Sequence, residues 1–258
     1  MSQIHQPQHH SPWRKWGAAI AAAAVLIFKF FPFLLKTGGT MMLSIVVYAY
    51  YCGWWFAAGF VVLLFVHECG HLVAARRCGL KVGMPVFIPF MGAAIALKEA
   101  PRNAWIEAQV GIGGPLMGTA GALVCLLTYE FLKDPLFLAL AFAGFWLNLF
   151  NLIPIVPLDG GRVVTAISPW LWVAGLVLMV FVLLQSSFNL FVVLIVGLSL
   201  PRVFALFRRQ SAAERRFFEL TPAQRVLMST IYFGLAGTLG WMMHVTQTQI
   251  ELLRAASY

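Results

Sequence analysis

The chain has 258 residues, of which 61% are hydrophobic and only 10% are charged, whereas about 25% of the residues of an average soluble domain are charged. This composition, with a mean hydropathy of +0.84, excludes a water-soluble globule. The net charge of +9 does not indicate nucleic-acid binding, because the basic residues lie in short clusters beside apolar runs and not along one polar face. We therefore predict a multi-pass integral membrane protein embedded in the lipid bilayer.

The first predicted element is an N-terminal anchor. Residues 1–16 are polar and form a predicted tail, and Arg14 and Lys15 precede the apolar run 17–35. That run is long for a signal peptide, and no small-residue cleavage pattern follows it. Residues 17–40 are therefore interpreted as a retained anchor helix.

Further apolar stretches follow along the chain, and the predicted spans are residues 41–75, 104–131, 136–155, 169–185, 189–207 and 226–246. The stretch 41–75 exceeds one crossing, so a tilt or a break is expected near Gly53. The sequence from Thr221 to Gln224 combines a capping-box pattern with a proline at the first helical position, which marks the start of the last span. The predicted fold class is an all-α polytopic membrane protein with about six to seven transmembrane helices.

One apolar segment does not fit a transmembrane helix. Val82 to Leu97 is interrupted by Gly83, Pro85, Pro89 and Gly92, and it is too short to cross the membrane and return as a helix. Irregular backbone at membrane depth requires shielding by protein. We therefore predict a membrane-embedded β-hairpin or re-entrant segment here.

The distribution of Lys and Arg predicts the orientation. With a cytoplasmic N-terminus, only Lys36, Lys133 and Arg254 fall on the outer side, and Lys29 lies within the first span. All other Lys and Arg residues fall on or near the cytoplasmic side. Because cytoplasmic loops are enriched in these residues, we predict that the N-terminus is inside.

The sequence His67-Glu68-Cys69-Gly70-His71 is the most informative motif. On a helix, His67 and His71 lie one turn apart on the same face and can bind one metal ion, with Glu68 beside them. Ionisable groups within a span cost several kcal/mol unless they are paired or bound to metal. The motif therefore predicts a zinc site in the cytoplasmic half of the membrane, with both histidines as ligands and Glu68 as the catalytic base.

A catalytic zinc ion usually has three protein ligands, so one more is expected. Of the two aspartates, Asp134 lies in a turn on the predicted outer side, whereas Asp159 lies at the cytoplasmic end of a span. Asp159 is therefore the candidate third ligand. Glu214 and Glu219 are alternatives in a basic interfacial stretch.

The chain resembles the site-2 protease family of intramembrane zinc metalloproteases. The resemblance rests on the histidine motif, on Asn151 to Gly160 as the family's Asn-x-x-Pro-x-x-Pro-Leu-Asp-Gly motif, and on the Gly-Pro segment Gly113 to Leu116. Pro85 to Ala94 resembles the family's membrane-embedded hairpin. Gly118 departs from the pattern, because many relatives have asparagine there.

This resemblance implies cleavage of a transmembrane segment of another membrane protein, often in regulated intramembrane proteolysis, with one zinc ion per chain. Residues 41–165 would then form the catalytic membrane core, and residues 166–258 the C-terminal transmembrane helices with a basic interfacial segment. We expect a prokaryotic cell membrane, with the N-terminus and the active site on the cytoplasmic side. No nucleic-acid partner is expected.

Two further roles and one other function remain open from the sequence. Asn151 either holds substrate backbone or the developing oxyanion, or makes a plain interhelical hydrogen bond. Val86, Phe87 and Ile88 favour extended structure and are candidates for a strand that pairs with the unwound substrate. The alternative function is a membrane metal-ion transporter that uses the same His, His and Asp site, in which Glu68 would have no need to act as a base.

Overall fold

The computed structural model describes residues 37–88, 92–97, 99–185, 189–208 and 211–256. The predicted tail, the anchor run 17–35 and Lys29 lie outside these residues. The described part is mainly helical. Its elements are α1 (Gly39–Cys52), α2 (Trp54–Arg77), β1 (Val82–Ile88), β2 (Gly92–Leu97), α3 (Ala104–Leu132), α4 (Pro135–Asn151), α5 (Asp159–Val163) followed by one 3-10 turn (Val164–Ala166), α6 (Leu171–Gln185), α7 (Leu190–Leu206), α8 (Ala212–Phe217) and α9 (Pro222–Ala256).

Three helices of the described residues, α2, α3 and α9, are long and apolar enough to cross a membrane. The helices α1, α4, α6 and α7 are apolar but shorter, with 10–17 residues each. The mainly helical fold class is thus confirmed, and the number of six to seven spans stays a prediction.

The break predicted at Gly53 separates α1 from α2. Gly53 has a φ of +82°, a left-handed conformation that glycine adopts without a steric penalty. The chain reverses there, so that α1 packs beside α2. Met41 and Ile45 of α1 contact a small buried cluster that includes Val61 of α2. The long apolar stretch 41–75 therefore forms two helices.

The segment after α2 forms two antiparallel strands, β1 and β2, in which Phe87 is opposite Ala93. The Phe87 side chain is buried against α2, and its backbone N–H donates a hydrogen bond to the Thr40 hydroxyl oxygen at 3.2 Å. The segment is therefore anchored to α1 and α2. Its location within the membrane stays a prediction.

Helices α2 and α3 cross with their backbones in contact. A Cβ atom on Gly70 would lie 2.1 Å from the carbonyl oxygen of Gly113, and a Cβ atom on Gly113 would lie 2.7 Å from that of Gly70. Small residues permit such a close approach between membrane helices. The histidine motif of α2 is thereby held directly against the α3 backbone.

The C-terminal helices pack onto α3 and α4 around a second core. Trp172 of α6 and Tyr232 of α9 belong to the same buried cluster as Phe145 of α4. At the start of α9, the Thr221 hydroxyl accepts from the Gln224 N–H at 3.2 Å, and the Gln224 side-chain oxygen accepts from the Thr221 N–H at 3.0 Å. The capping box predicted for this helix is confirmed.

Candidate metal centre

Three side chains from two distant segments of the chain meet inside the helical bundle. Nε2 of His67 and Nε2 of His71 are 3.1 Å apart, and each lies 3.1 Å from Oδ2 of Asp159. All three residues are at most 9% exposed. Among the described residues, they form a group that is positioned to bind a metal ion.

The spacing of the three donor atoms fits zinc. With zinc–ligand distances of about 2.0–2.1 Å, the donors of a tetrahedral site lie about 3.3 Å apart. The triangle of 3.1 Å edges made by His67, His71 and Asp159 is close to this value. Two neutral imidazoles and one carboxylate are also a ligand set typical of catalytic zinc.

Helix α3 fixes the orientation of His71. Nδ1–H of His71 donates to the backbone carbonyl of Val110 at 2.8 Å, which leaves the Nε2 lone pair for a metal ion. The backbone of α3 passes close to the donor atoms at Gly114. A Cβ atom there would lie 2.2 Å from Nε2 of His71 and 2.7 Å from Nε2 of His67. Only glycine leaves room for both imidazoles.

Helix α4 fixes the orientation of His67 through Asn148. Nδ1–H of His67 donates to Oδ1 of Asn148 at 2.8 Å. The Asn148 amide is itself oriented, because its Nδ2 donates to the Gly144 carbonyl at 2.7 Å. The sequence favours a supporting or packing role for Asn148, one helical turn before Asn151, and the structure places its amide against the His67 ring.

Asp159 reaches the site because α4 ends at Asn151 and the chain turns back on itself. A Cβ atom on Gly160 would lie 2.1 Å from the Leu152 carbonyl oxygen, so glycine is required for this close return. Asp134 has a different task, since its Oδ1 accepts from the Leu136 N–H at 2.9 Å and caps α4. The structure therefore brings the predicted aspartate, and not the other one, to the histidines.

Glu68 is buried beside the site but is not part of the metal-binding group. It is 6% exposed, and its neighbours His67 and His71 supply the donor atoms. Cys69 is half-buried and likewise outside the group. A carboxylate at this position is available to exchange a proton with a molecule bound at the metal centre.

Two other predicted residues, Asn151 and Glu214, make local hydrogen bonds. Asn151 donates through Nδ2 to the Leu147 carbonyl of its own helix at 3.1 Å. Glu214 caps α8: hydrogen bonds from the Ser211 backbone and side chain, and then from Arg208, hold the pKa of its carboxyl below the ordinary value. Glu214 is not part of the group of described residues that is positioned to bind a metal ion.

A His-Glu-x-x-His helix joined by a carboxylate from a later segment defines a metal centre of the zinc-hydrolase type. Residues 55–135 match the model of peptidase family M50. The zinc metalloprotease MJ0392 of Methanocaldococcus jannaschii is 35% identical over 121 residues, which are 43% of this chain and 35% of that protein. The solved structure of the site-2 protease from Methanocaldococcus jannaschii has a TM-score of 0.41 and 24% sequence identity, and the match covers 70% of this chain and 87% of that chain.

The family match and the named relative confirm the resemblance to the site-2 protease family of zinc metalloproteases. The chain spans about a third of the length of the curated relative it matches. These comparisons do not support the alternative function of a metal-ion transporter.

Proposed function

We propose that this protein is an intramembrane zinc metalloprotease that hydrolyses a peptide bond in the transmembrane segment of a membrane-protein substrate. The observation that carries this proposal is the triangle of donor atoms of His67, His71 and Asp159, with the Glu68 carboxylate buried beside it. The site holds one zinc ion per chain. The activity belongs to regulated intramembrane proteolysis, as the family resemblance implies.

Zinc, when bound, supplies a Lewis acid that polarises the scissile carbonyl and lowers the pKa of a water molecule. Glu68 accepts a proton from the attacking water and returns it to the nitrogen of the leaving amine as the C–N bond breaks. Asn148 and the Val110 carbonyl hold the two imidazoles in orientation. The amide of Asn151, at the end of α4, holds substrate backbone or the developing oxyanion.

The site lies in the cytoplasmic half of a prokaryotic cell membrane, with the N-terminus inside. Helix α2 supports this orientation, because Arg76 and Arg77 are in its last turn while Trp54 and Trp55, 60% and 81% exposed, are at its first. Basic residues favour the cytoplasmic end of a span, and tryptophan favours the interface. His71 is then about one turn and a half from the basic end of the helix.

The substrate must be locally unwound before cleavage, because the peptide groups of a helix are hydrogen-bonded and wrapped by side chains. In lipid, each unpaired backbone group costs several kcal/mol, so the enzyme has to supply partners for the opened segment. A strand edge does so by adding the substrate as a further strand. The edge of β1 that faces away from β2 already has a hydrogen-bond partner, because the Phe87 N–H donates to the Thr40 hydroxyl oxygen. We therefore assign the substrate to the outer edge of β2 instead of to Val86, Phe87 and Ile88.

Membrane-protein cleavage in cells that carry the wild-type chain or the Glu68→Gln variant tests the proposal. Mass spectrometry of the membrane fraction should find one or more transmembrane segments cut only with the wild-type chain, and the purified variant should retain about one zinc ion per chain. Glu107→Gln is the matched control, because Glu107 is also a glutamate that is 6% exposed and lies outside the metal-binding group. It should cleave like the wild type.

Two results would contradict the proposal. Identical cleavage patterns with the wild-type chain and Glu68→Gln would show that Glu68 is not the catalytic base, and they would contradict the protease assignment. Loss of zinc together with activity in Glu68→Gln would make Glu68 a ligand, and the proposed division of roles would be wrong.

A further inference from the structure

Two side chains of the C-terminal helices hold the backbone that carries Asp159. The Tyr232 hydroxyl of α9 donates to the Leu152 carbonyl at 2.5 Å. Nε1–H of Trp172 in α6 donates to the Gly161 carbonyl at 2.7 Å. Both side chains are buried, with 5% and 3% exposure. Both residues also lie outside the segment 55–135 that the family model matches.

The two carbonyls that accept these bonds lie on either side of Asp159 in the chain. Leu152 is the first residue after α4, and Gly161 lies within the short helix α5 that begins at Asp159. Because Gly160 packs directly on the Leu152 carbonyl, a displacement of Leu152 is transmitted to the residue next to Asp159. The anchored backbone and the carboxylate therefore move together.

The segment between these two anchors packs on α6 as well as on itself. A Cβ atom on Gly175 of α6 would lie 2.3 Å from the Pro154 carbonyl oxygen, so helix and loop are in backbone contact. The loop's own backbone bonds are short-range turns, such as Leu158 N–H to the Ile155 carbonyl at 2.9 Å. Its position relative to the histidines of α2 is consequently set by what packs against it.

We propose that Tyr232 and Trp172 are positioning residues that set the distance between Asp159 and the two histidines. Neither side chain touches the donor atoms; each acts through a backbone carbonyl. The proposal rests on the metal-binding role of His67, His71 and Asp159, which is part of the proposed function, but it does not require proteolysis. Under this proposal, the C-terminal helices α6 and α9 contribute to metal binding by holding the backbone around Asp159.

Zinc affinity of the purified full chain, measured by competition with a chelator, tests this role. Tyr232→Phe removes the hydroxyl and keeps the ring in the core. We expect zinc affinity to fall about 10-fold to 100-fold, as for other residues that orient metal ligands. In an Asp159→Ala background the same substitution should leave zinc affinity unchanged, because the ligand that Tyr232 positions is gone.

The visible absorption of the cobalt-substituted protein adds a second readout, because its intensity and wavelength report the coordination geometry. Tyr232→Phe should change this spectrum. Thr246→Val is the matched control: it removes a buried hydroxyl from the same helix, and Thr246 donates only within α9, to the Met242 and Met243 carbonyls. The control should keep wild-type zinc affinity and the wild-type cobalt spectrum. If Tyr232→Phe fails to fold, Trp172→Phe removes the other donor and serves the same comparison.

The proposal is wrong if Tyr232→Phe lowers only the melting temperature, with zinc affinity and the cobalt spectrum unchanged. It is also wrong if the loss of affinity is equal in the wild-type and Asp159→Ala backgrounds, since the hydroxyl would then act independently of that ligand. All these readouts concern metal binding. A chain that binds zinc with the expected coupling but cleaves nothing would contradict the protease function and leave this inference standing.

Discussion

Gly118 of α3 lies directly against the Asn148 side chain of α4: a Cβ atom on residue 118 would lie 2.2 Å from Oδ1 of Asn148. That oxygen accepts the hydrogen bond from Nδ1–H of His67. The family resemblance leads us to expect asparagine at position 118, where this chain has glycine. Here the absence of a side chain on α3 makes room for an asparagine supplied by α4.

The first prediction is that Gly118→Ala disturbs the metal centre without touching a ligand. The added methyl group must displace the Asn148 amide, which leaves the His67 ring without its orienting acceptor. Zinc affinity should fall about 10-fold to 100-fold. Gly121→Ala on the same helix is the control, because its Cβ would meet only the apolar side chains of Leu63 and Val66, the nearest atom being Leu63 Cδ2 at 3.1 Å. Equal zinc affinities for the two variants would refute the role of Asn148.

The second prediction separates the two aspartates. Asp159→Ala should lower zinc affinity and abolish cleavage, because it removes one corner of the donor triangle. Asp134→Ala removes the N-cap of α4 and should cost about 1 kcal/mol of stability, with zinc affinity unchanged. Zinc titration and thermal unfolding of both purified variants provide the measurement. Wild-type zinc affinity in Asp159→Ala would refute its assignment as the third ligand.

The third prediction concerns the passage of the α3 backbone beside the imidazoles. Gly114→Ala places a methyl group 2.2 Å from Nε2 of His71, where the donor lone pair must face the metal ion. Zinc content after purification should be close to zero, while Gly121→Ala retains about one ion per chain. Full zinc occupancy in Gly114→Ala would show that α3 lies farther from the site.

The pairing of His67 with His71 could be predicted from the sequence, because their spacing is a property of the helix itself. Asp159 could be selected as the third ligand because the chain has only two aspartates and the other, Asp134, lies in a turn on the predicted outer side. The contact of Asn148 with His67 could not be predicted, because it joins residues 81 positions apart and depends on how α4 packs against α3. The helix boundaries near Gly53 and Thr221 followed from local turn and capping chemistry. The contacts of Tyr232 and Trp172 depend on tertiary packing, which leaves no local pattern.

The fourth prediction is the topology, tested by cysteine labelling in a background that lacks the four native cysteines. Lys81→Cys should be labelled from the cytoplasm and Asp134→Cys from outside. We choose position 81 for the label because the Lys81 side chain is 77% exposed. Gly79 is a poorer choice, since its φ of +74° disfavours any other residue. The reverse labelling pattern would contradict both the orientation and the cytoplasmic location of the site.

The last prediction concerns the edge at which an unwound substrate pairs. Because Phe87 donates to Thr40, it does not donate to β2, and the opposite pair Phe87 and Ala93 is the non-hydrogen-bonded kind. The N–H and C=O groups of Ala93 then point to the outer edge of β2. Cysteines at residues 93 and 95 should crosslink to substrate residues that flank the scissile bond in a Glu68→Gln background.

Cysteines at residues 86 and 88 of β1 are the matched comparison, since residues 86 and 88 lie in the same antiparallel pair, opposite residues 94 and 92, and their backbone groups face β2 and not its outer edge. They should give few crosslinks to the same substrate residues. Substitutions that weaken the substrate helix near the cut should also speed cleavage, because less hydrogen bonding has to be broken before the strand can form. Stronger crosslinking from β1 than from β2, or a cleavage rate independent of substrate helicity, would refute strand addition at β2 and leave the zinc ligands unaffected.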